Sequence, residues 1–300
     1  MILTDSKQIL NNIADTLFIS PQNINRFKDN NKIQIIVGSR ALIGQCQNIS
    51  FPNLKFIQLL SVGFEGIDIE KFKQKGVIVS NAANVYNVGM AEFIVYSLLM
   101  GAKRYNKGIR NSFIRYQRGY KYITELGGKT VGIMGVGAIG KEVAKRLQGF
   151  DMNVIGYDLT STNVPNFEKV YAIEEKNEFL PQCDYLVVSI PLNDKTKGTL
   201  DQSVFEKLKP NVTIVNVGRK DLFNQNDFLK ALKGNKEMTA ILDMFELIPN
   251  PFTNPFRRLS NVKILPGVTA ISKEINSKRL KLVRENIELV LIGETPKFAL

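Results

Sequence analysis

The stretch TVGIMGVGAIGKEVAKRL, residues 130–147, restricts the fold more than any other part of the 300-residue chain. An apolar run of strand type ends in Gly135, Gly137 and Gly140, and Ile139, Val143 and Leu147 follow as a stripe at helical spacing. A strand that turns through three glycines into a helix is the fingerprint of a dinucleotide-binding βαβ unit. Gly135 permits the tight turn, Gly137 lets the backbone approach a pyrophosphate, and Gly140 lets the helix lie close on the sheet. The first helical N–H groups, at Ala138 and Ile139, would face the anion. Asp158 closes the next strand, NVIGYD, at an offset of about 20 residues, where a carboxylate accepts hydrogen bonds from both ribose hydroxyls. It would repel a 2′-phosphate, and Leu159 to Asn163 contain no arginine to bind one. The expected cofactor is therefore NAD rather than NADP.

The rest of the chain arranges itself around this unit. Residues 1–90 alternate short β-rich runs, IQIIVG (33–38), FIQLLS (56–61) and VIVSN (77–81), with polar helical stretches. From Asn87 to about Ile109 apolar residues recur at helical spacing without a proline, which predicts one long helix bridging two domains. After Leu126 nearly all-apolar strands alternate with helices, the first of them from Ala138 to Phe150, as in a parallel sheet covered on both faces. A last helix, Ser272 to about Leu291, carries Leu280, Val283, Ile287 and Val290 on one stripe. The expected division is 1–90 with 271–300 as one α/β domain, and 91–270 as the doubly wound dinucleotide domain.

Composition excludes several chemistries. The chain has no histidine, so Ser-His-Asp hydrolysis, His-ligated zinc and any imidazole proton relay are absent. Cys46 and Cys183 have no partner spacing for a disulfide framework or a metal site, and none is expected. No apolar run approaches the roughly 18 residues of a membrane span, and the start MILTDSK lacks a secretory pattern. A cytoplasmic protein is expected. The net charge is +12, and residues 101–125 hold Lys103, Arg104, Lys107, Arg110, Arg115, Arg118 and Lys121 against Glu125 alone, interleaved with four tyrosines. Such a run can clamp phosphates and stack bases. No nucleic-acid-binding motif accompanies it, so a charged surface at a domain or subunit seam is the expectation.

Five further motifs resemble the D-isomer-specific 2-hydroxyacid dehydrogenases, the family of phosphoglycerate, glycerate and D-lactate dehydrogenases. SVGFEGID (61–68) is similar to the family's substrate-carboxylate loop, which implies that Val62 and Gly63 N–H groups face the substrate. VGMAEFIVYSLL (88–99) is similar to its helix with the Ala91–Glu92 pair, which implies that Met90 lies near the nicotinamide. VSIPLNDKTKG (188–198) resembles the segment passing the adenosine ribose, with Pro191 and Thr196 at matching positions. VNVGRKDLFNQNDFLKAL implies that Val217 and Gly218 line the cofactor and that Arg219 binds substrate and takes part in catalysis. ILDMFELIP implies that Asp243 holds the nicotinamide carboxamide. The resemblance runs nearly end to end and implies a Rossmann domain plus a smaller flavodoxin-like substrate domain. It further implies NAD-dependent hydride transfer on a small 2-hydroxy or 2-keto carboxylate, and a homodimer built through the dinucleotide domains.

The departures from the family pattern fall on the proton relay. The family's catalytic glutamate position is Ile248, before Pro249, and its histidine position is Gly267 in NVKILPGVTAIS. Lys220 replaces the glycine after the arginine. A positioned general acid typically contributes 10²- to 10⁴-fold, so activity without one should be slow. Lys220, Lys273, Tyr86 or an ordered water could substitute. A relative that binds NAD(H) without turnover, as a sensor or partner-binding module, would keep the same cofactor residues.

Overall fold

The computed structural model describes residues 1–7, 13, 15–103, 123–243, 245 and 253–300. Most of the basic tyrosine-rich segment, from Arg104 to Lys121, lies outside the described residues, as do Ile248 and Pro249. In chain order the elements are β1 (Ile2–Thr4), β2 (Thr16–Phe18), β3 (Ile35–Gly38), α1 (Arg40–Cys46), β4 (Phe56–Leu59), α2 (Ile69–Lys73) and β5 (Ile78–Ser80). There follow α3 (Asn87–Ala102), β6 (Thr130–Met134), α4 (Ala138–Leu147), β7 (Asn153–Tyr157), β8 (Lys169–Tyr171), α5 (Lys176–Phe179), β9 (Tyr185–Val188) and α6 (Gln202–Phe205). The chain continues through β10 (Thr213–Asn216), α7 (Gln225–Gly234), β11 (Thr239–Asp243) and β12 (Val262–Leu265) to α8 (Ile275–Leu291). These residues form two compact units, Met1–Tyr86 with Ser272–Leu300, and Asn87–Ile271.

The first unit is a parallel sheet in the order β2-β1-β3-β4-β5. Its strands are apolar on both faces because both are covered. Ile36 and Ile57 turn toward Leu42, Ile43 and Phe72, while Ile35, Val37 and Phe56 turn toward Val283 and Ile287 of α8. Leu280 and Val290 flank that second cluster, so the apolar stripe of the last helix is the face that packs. Ser39 and Asp68 cap α1 and α2 by accepting the N–H groups of Leu42 and Lys71. The chain end returns to the sheet edge, where Leu300 N–H donates to Val79 C=O at 2.8 Å.

The second unit is a parallel sheet in the order β12-β11-β10-β9-β6-β7-β8. From β6 the chain runs outward through β7 and β8, then crosses back to β9 on the other side and continues through β10 to β12. The order reverses between β6 and β9, the crevice where open α/β sheets bind ligands at their carboxyl ends. One face carries Ala91, Ile94 and Leu98 of α3 with Val143 and Leu147 of α4; the other carries an aromatic cluster including Phe205, Phe223, Phe228 and Phe245.

Three elements differ from expectation. The helix that opens at Asn87 ends at Ala102, not near Ile109, because Thr124 N–H donates to Ala102 C=O at 2.9 Å and closes it from outside. The last helix starts at Ile275 rather than Ser272. The helix behind the glycine turn ends at Leu147, and Gln148–Phe150 tighten into a 3₁₀ turn closed by Asp151 at φ +51°. Among the described residues no helix is long and apolar enough to cross a membrane.

Candidate active site

The glycine turn sits at the end of β6, on the switch point. Gly135 adopts φ +98°, a backbone conformation that a Cβ would strain. A Cβ on Gly140 would stand 2.2 Å from Gly135 C=O, so the first turn of α4 lies directly on the strand exit. At Gly137, the residue before α4, a Cβ would meet nothing within 4 Å, and the space beside that backbone is open. Beneath the turn Ser189 Oγ lies 3.0 Å from Met134 C=O and 3.2 Å from Gly135 C=O, a bifurcated donor that fixes the loop from β9. Asp158 is half-buried, and its two carboxylate oxygens accept Val136 N–H and Leu159 N–H, each at 2.7 Å. Each oxygen retains a second lone pair for a ribose hydroxyl. Open space at Gly137, N–H groups at the helix start and a partly exposed carboxylate together fit a dinucleotide.

In the first unit the Leu60–Gly63 segment has every carbonyl engaged. Leu60 C=O accepts Tyr86 Oη–H at 2.8 Å, Ser61 C=O accepts Ala82 N–H at 3.0 Å, Val62 C=O accepts Asn81 Nδ2–H at 3.0 Å, and Gly63 C=O accepts Ser61 Oγ–H at 2.8 Å. Among the described residues the N–H groups of Val62 and Gly63 donate to no backbone carbonyl, and the Glu65 carboxylate, paired with Arg40, lies directly beside Gly63. Backbone donors on a segment whose acceptors are satisfied can bind an anion, which here would take the place of the Glu65 carboxylate beside Gly63. Val62 and Phe64 project into solvent beside it. Asn81, which holds this segment, belongs to no site motif in the sequence, and Ser61, though it opens SVGFEGID, has no role assigned to its side chain.

The remaining candidates gather at the carboxyl ends of β9, β10 and β11. Asn216 Oδ1 accepts Gly218 N–H at 3.1 Å, turning the chain so that Arg219 leads into a short 3₁₀ helix, Lys220–Leu222. Val217 is buried, and Gly218 and Arg219 are half-buried. Thr196 Oγ donates to Pro191 C=O at 2.7 Å and accepts Asn193 N–H at 2.8 Å, which closes the loop after β9 on itself. Met90 is half-buried in the first turn of α3. Asp243, 4% exposed at the end of β11, accepts Gly267 N–H at 2.7 Å, Thr269 N–H at 3.2 Å and the Thr269 hydroxyl. Three of its roughly four lone-pair positions are thus taken by the loop that follows β12. Gly267 has φ +72°.

Of the three side chains considered as replacement acids, Tyr86 donates its proton to Leu60 C=O. Lys273 is exposed just before α8, and Lys220 is half-buried at the first position of its 3₁₀ turn. Among the described residues no group of acidic and cysteine side chains could hold a metal ion. The two thiols are buried and unpaired; burial pushes each up to about 12.

Comparison with known proteins agrees with this geometry. The family described as D-isomer specific 2-hydroxyacid dehydrogenase, NAD binding domain, matches residues 93–268. The chain is 34% identical over 248 residues to a D-3-phosphoglycerate dehydrogenase of Methanocaldococcus jannaschii, covering 80% of this chain and 46% of that protein. It is 31% identical over 255 residues to a glyoxylate reductase of Thermofilum pendens, covering 82% of this chain and 74% of that one. The chain therefore spans about half the length of the first relative and three quarters of the second. D-mandelate dehydrogenase of Rhodotorula graminis has the same fold, with a TM-score of 0.82 at 18% identity over 100% of this chain and 96% of that one. The chain belongs to the D-isomer-specific 2-hydroxyacid dehydrogenase family, and the unit built on the glycine turn is that family's NAD-binding domain.

Proposed function

We propose that the protein is an NAD-dependent oxidoreductase that interconverts a small 2-keto carboxylate and its 2-hydroxy acid. The observation that carries this reading is the Leu60–Gly63 segment, whose four carbonyls are all hydrogen-bonded while, among the described residues, the Val62 and Gly63 N–H groups pair with no backbone carbonyl. NAD supplies or receives the hydride when bound. The turn at Gly135, Gly137 and Gly140, with Ala138 and Ile139, holds its pyrophosphate, Asp158 its ribose, and Pro191, Thr196, Val217, Gly218, Met90 and Asp243 flank the remainder. Arg219 binds the substrate carboxylate and polarises the carbonyl by charge-assisted hydrogen bonds.

The proton step lacks an imidazole, since the chain has no histidine. A group that titrates near neutrality is therefore missing, and turnover is slow and carries no inflection near pH 6.5. Asp158, with no arginine in Leu159–Asn163, favours NADH over NADPH. The assembly is a homodimer and the compartment the cytoplasm, which suits two thiols kept apart and unpaired. The test is purified protein with NADH and a panel of 2-keto acids, following absorbance of the reduced nicotinamide beside calorimetric NADH binding. Turnover of at least one keto acid is expected; tight NADH binding with no turnover would refute the reading.

A further inference from the structure

Arg279 stands one turn into α8, on the first unit, and is half-buried. Its Nε donates to Tyr86 Oη at 3.0 Å, its Nη2 donates to the same oxygen, and Nη1 lies 3.4 Å from Asn276 Oδ1. The guanidinium carbon lies 5.3 Å from the Tyr86 ring centroid. Tyr86 in turn donates to Leu60 C=O, the carbonyl that opens the Ser61–Gly63 cradle. Three hydrogen bonds, two into the Tyr86 hydroxyl and one out of it, thus link the cation to the anion-binding segment, within one unit of the fold.

Apart from the face of the Tyr86 ring, these contacts leave the charge of Arg279 without a counter-charge. Among the described residues it forms no ion pair, and its hydrogen-bond partners, a tyrosine hydroxyl and an amide, are neutral. The nearest acids on its own helix face elsewhere. Glu274 is held below the usual carboxylate range by its own backbone N–H and the Ser272 hydroxyl, and Glu285 pairs with Lys297 at 3.0 Å. A half-buried cation with no counter-charge is suited to an anionic ligand. A guanidinium fixed on one edge, with N–H groups remaining on its outer edge, presents the planar fork that carboxylates and phosphates fit.

We propose that Arg279 is a specificity-determining residue: held by Tyr86, it forms a second anion subsite beside the Ser61–Gly63 loop, and the substrate is a 2-keto acid bearing a second anionic group. This rests on the oxidoreductase reading above and narrows its substrate class. The loop N–H groups take the carboxylate next to the keto carbon, and Arg279 takes the distal carboxylate or phosphate. A monoanionic keto acid leaves the guanidinium unpaired and is the poorer substrate.

The test compares kcat/KM for oxaloacetate and 3-phosphohydroxypyruvate with that for pyruvate and glyoxylate, in the parent chain, R279M and R279K. The ratio of dianionic to monoanionic substrates should fall about 10- to 100-fold in R279M, the loss of a charge-assisted contact, and by less in R279K, which keeps charge without the fork. Whichever dianion loses more identifies the distal group as carboxylate or phosphate. An unchanged ratio in R279M, whether every substrate suffers equally or none does, overturns the proposal and leaves Arg279 as a support for Tyr86. If the parent chain reduces no keto acid, the oxidoreductase reading fails by itself, and binding decides the subsite. Malonate and acetate are then titrated calorimetrically into NADH-loaded protein, and tighter malonate binding that R279M removes supports the subsite. Equal malonate binding by the parent and R279M sinks it.

Discussion

Gly137 and Gly140 stand three residues apart, and alanine at the two positions should separate cofactor binding from folding. At Gly140 an added methyl group would lie 2.2 Å from Gly135 C=O and 3.2 Å from Ile133 Cγ2. The oxygen belongs to the strand exit and cannot swing aside as a flexible side chain would. Overpacking of this kind costs about 1–3 kcal/mol, and alanine in a helix returns up to about 1 kcal/mol of propensity. A net loss of about 1–2 kcal/mol is expected, which lowers Tm by about 2–8 °C for a unit of this size. At Gly137 the methyl meets nothing within 4 Å, and φ −79° with ψ −162° is open to any L-residue. Its poorer capping and its smaller unfolded-state entropy roughly cancel, leaving stability within about 0.5 kcal/mol. The methyl nonetheless occupies the approach the pyrophosphate needs, so NADH affinity should fall about 10-fold or more. Thermal unfolding and NADH fluorescence titration of both variants decide the matter. A Gly137→Ala protein that binds NADH as tightly as the parent would refute the assignment of the turn.

Three other expectations follow from individual contacts. Asp158→Ala removes the acceptor of Val136 and Leu159 N–H and the charge opposed to a 2′-phosphate, so the ratio of NADPH to NADH affinity should rise, as parallel titrations would show. Asp243→Asn replaces one oxygen with an NH₂ that faces an N–H donor of Gly267 or Thr269, and urea unfolding should report a loss of about 2–3 kcal/mol. Cys46 and Cys183, with thiols raised from 9.0 to about 12 by burial, should resist a thiol reagent at pH 8 until denaturant is added. Because the unfolded thiols ionise first, the folded state binds more protons between those values, and stability should decline as pH rises through that window.

What the amino-acid order made legible is what local chemistry determines. Gly135, Gly137 and Gly140 report backbone constraints directly, since glycine is the residue such a turn requires, and the apolar β6 and α4 pattern needs no distant partner. The packing stripe of α8 was readable for the same reason. The end of α3 was not, because its closing donor, Thr124 N–H, arrives 22 residues later while the apolar pattern continues past Ala102. Strands β1, β2 and β8 have three residues each, too few for a period to show. Site contacts divide in the same way. Asp158 and Arg219 were visible as residue types at strand ends. Arg279 and Tyr86 meet across 193 positions and Asn81 reaches Val62 across 19, pairings that only the folded sheet creates.

Asp243 fixes the backbone at Gly267, the position that the family resemblance matches to a histidine. The carboxylate expected to hold a carboxamide also gathers the loop after β12, through Gly267 N–H, Thr269 N–H and the Thr269 hydroxyl. That grip sets Gly267 at φ +72°, a conformation an imidazole-bearing residue adopts at a cost of about 1–2 kcal/mol. Gly267→His should therefore be less stable than the parent by about that amount in urea unfolding. Gly267→Ala should lose a similar amount, since the strain resides in the backbone and not in the ring. Neither variant should reduce keto acids faster, and the histidine variant should show no inflection near pH 6.5 in its pH–rate profile. The ring would lack the orienting carboxylate, since the family resemblance matches Ile248 to that glutamate. A rate gain of 10-fold or more, with an inflection near pH 6.5 and unchanged stability, would show that the loop relaxes freely out of the left-handed conformation. Asp243 would then be no more than an incidental neighbour of Gly267, and the site would still have the shape of one that uses an imidazole.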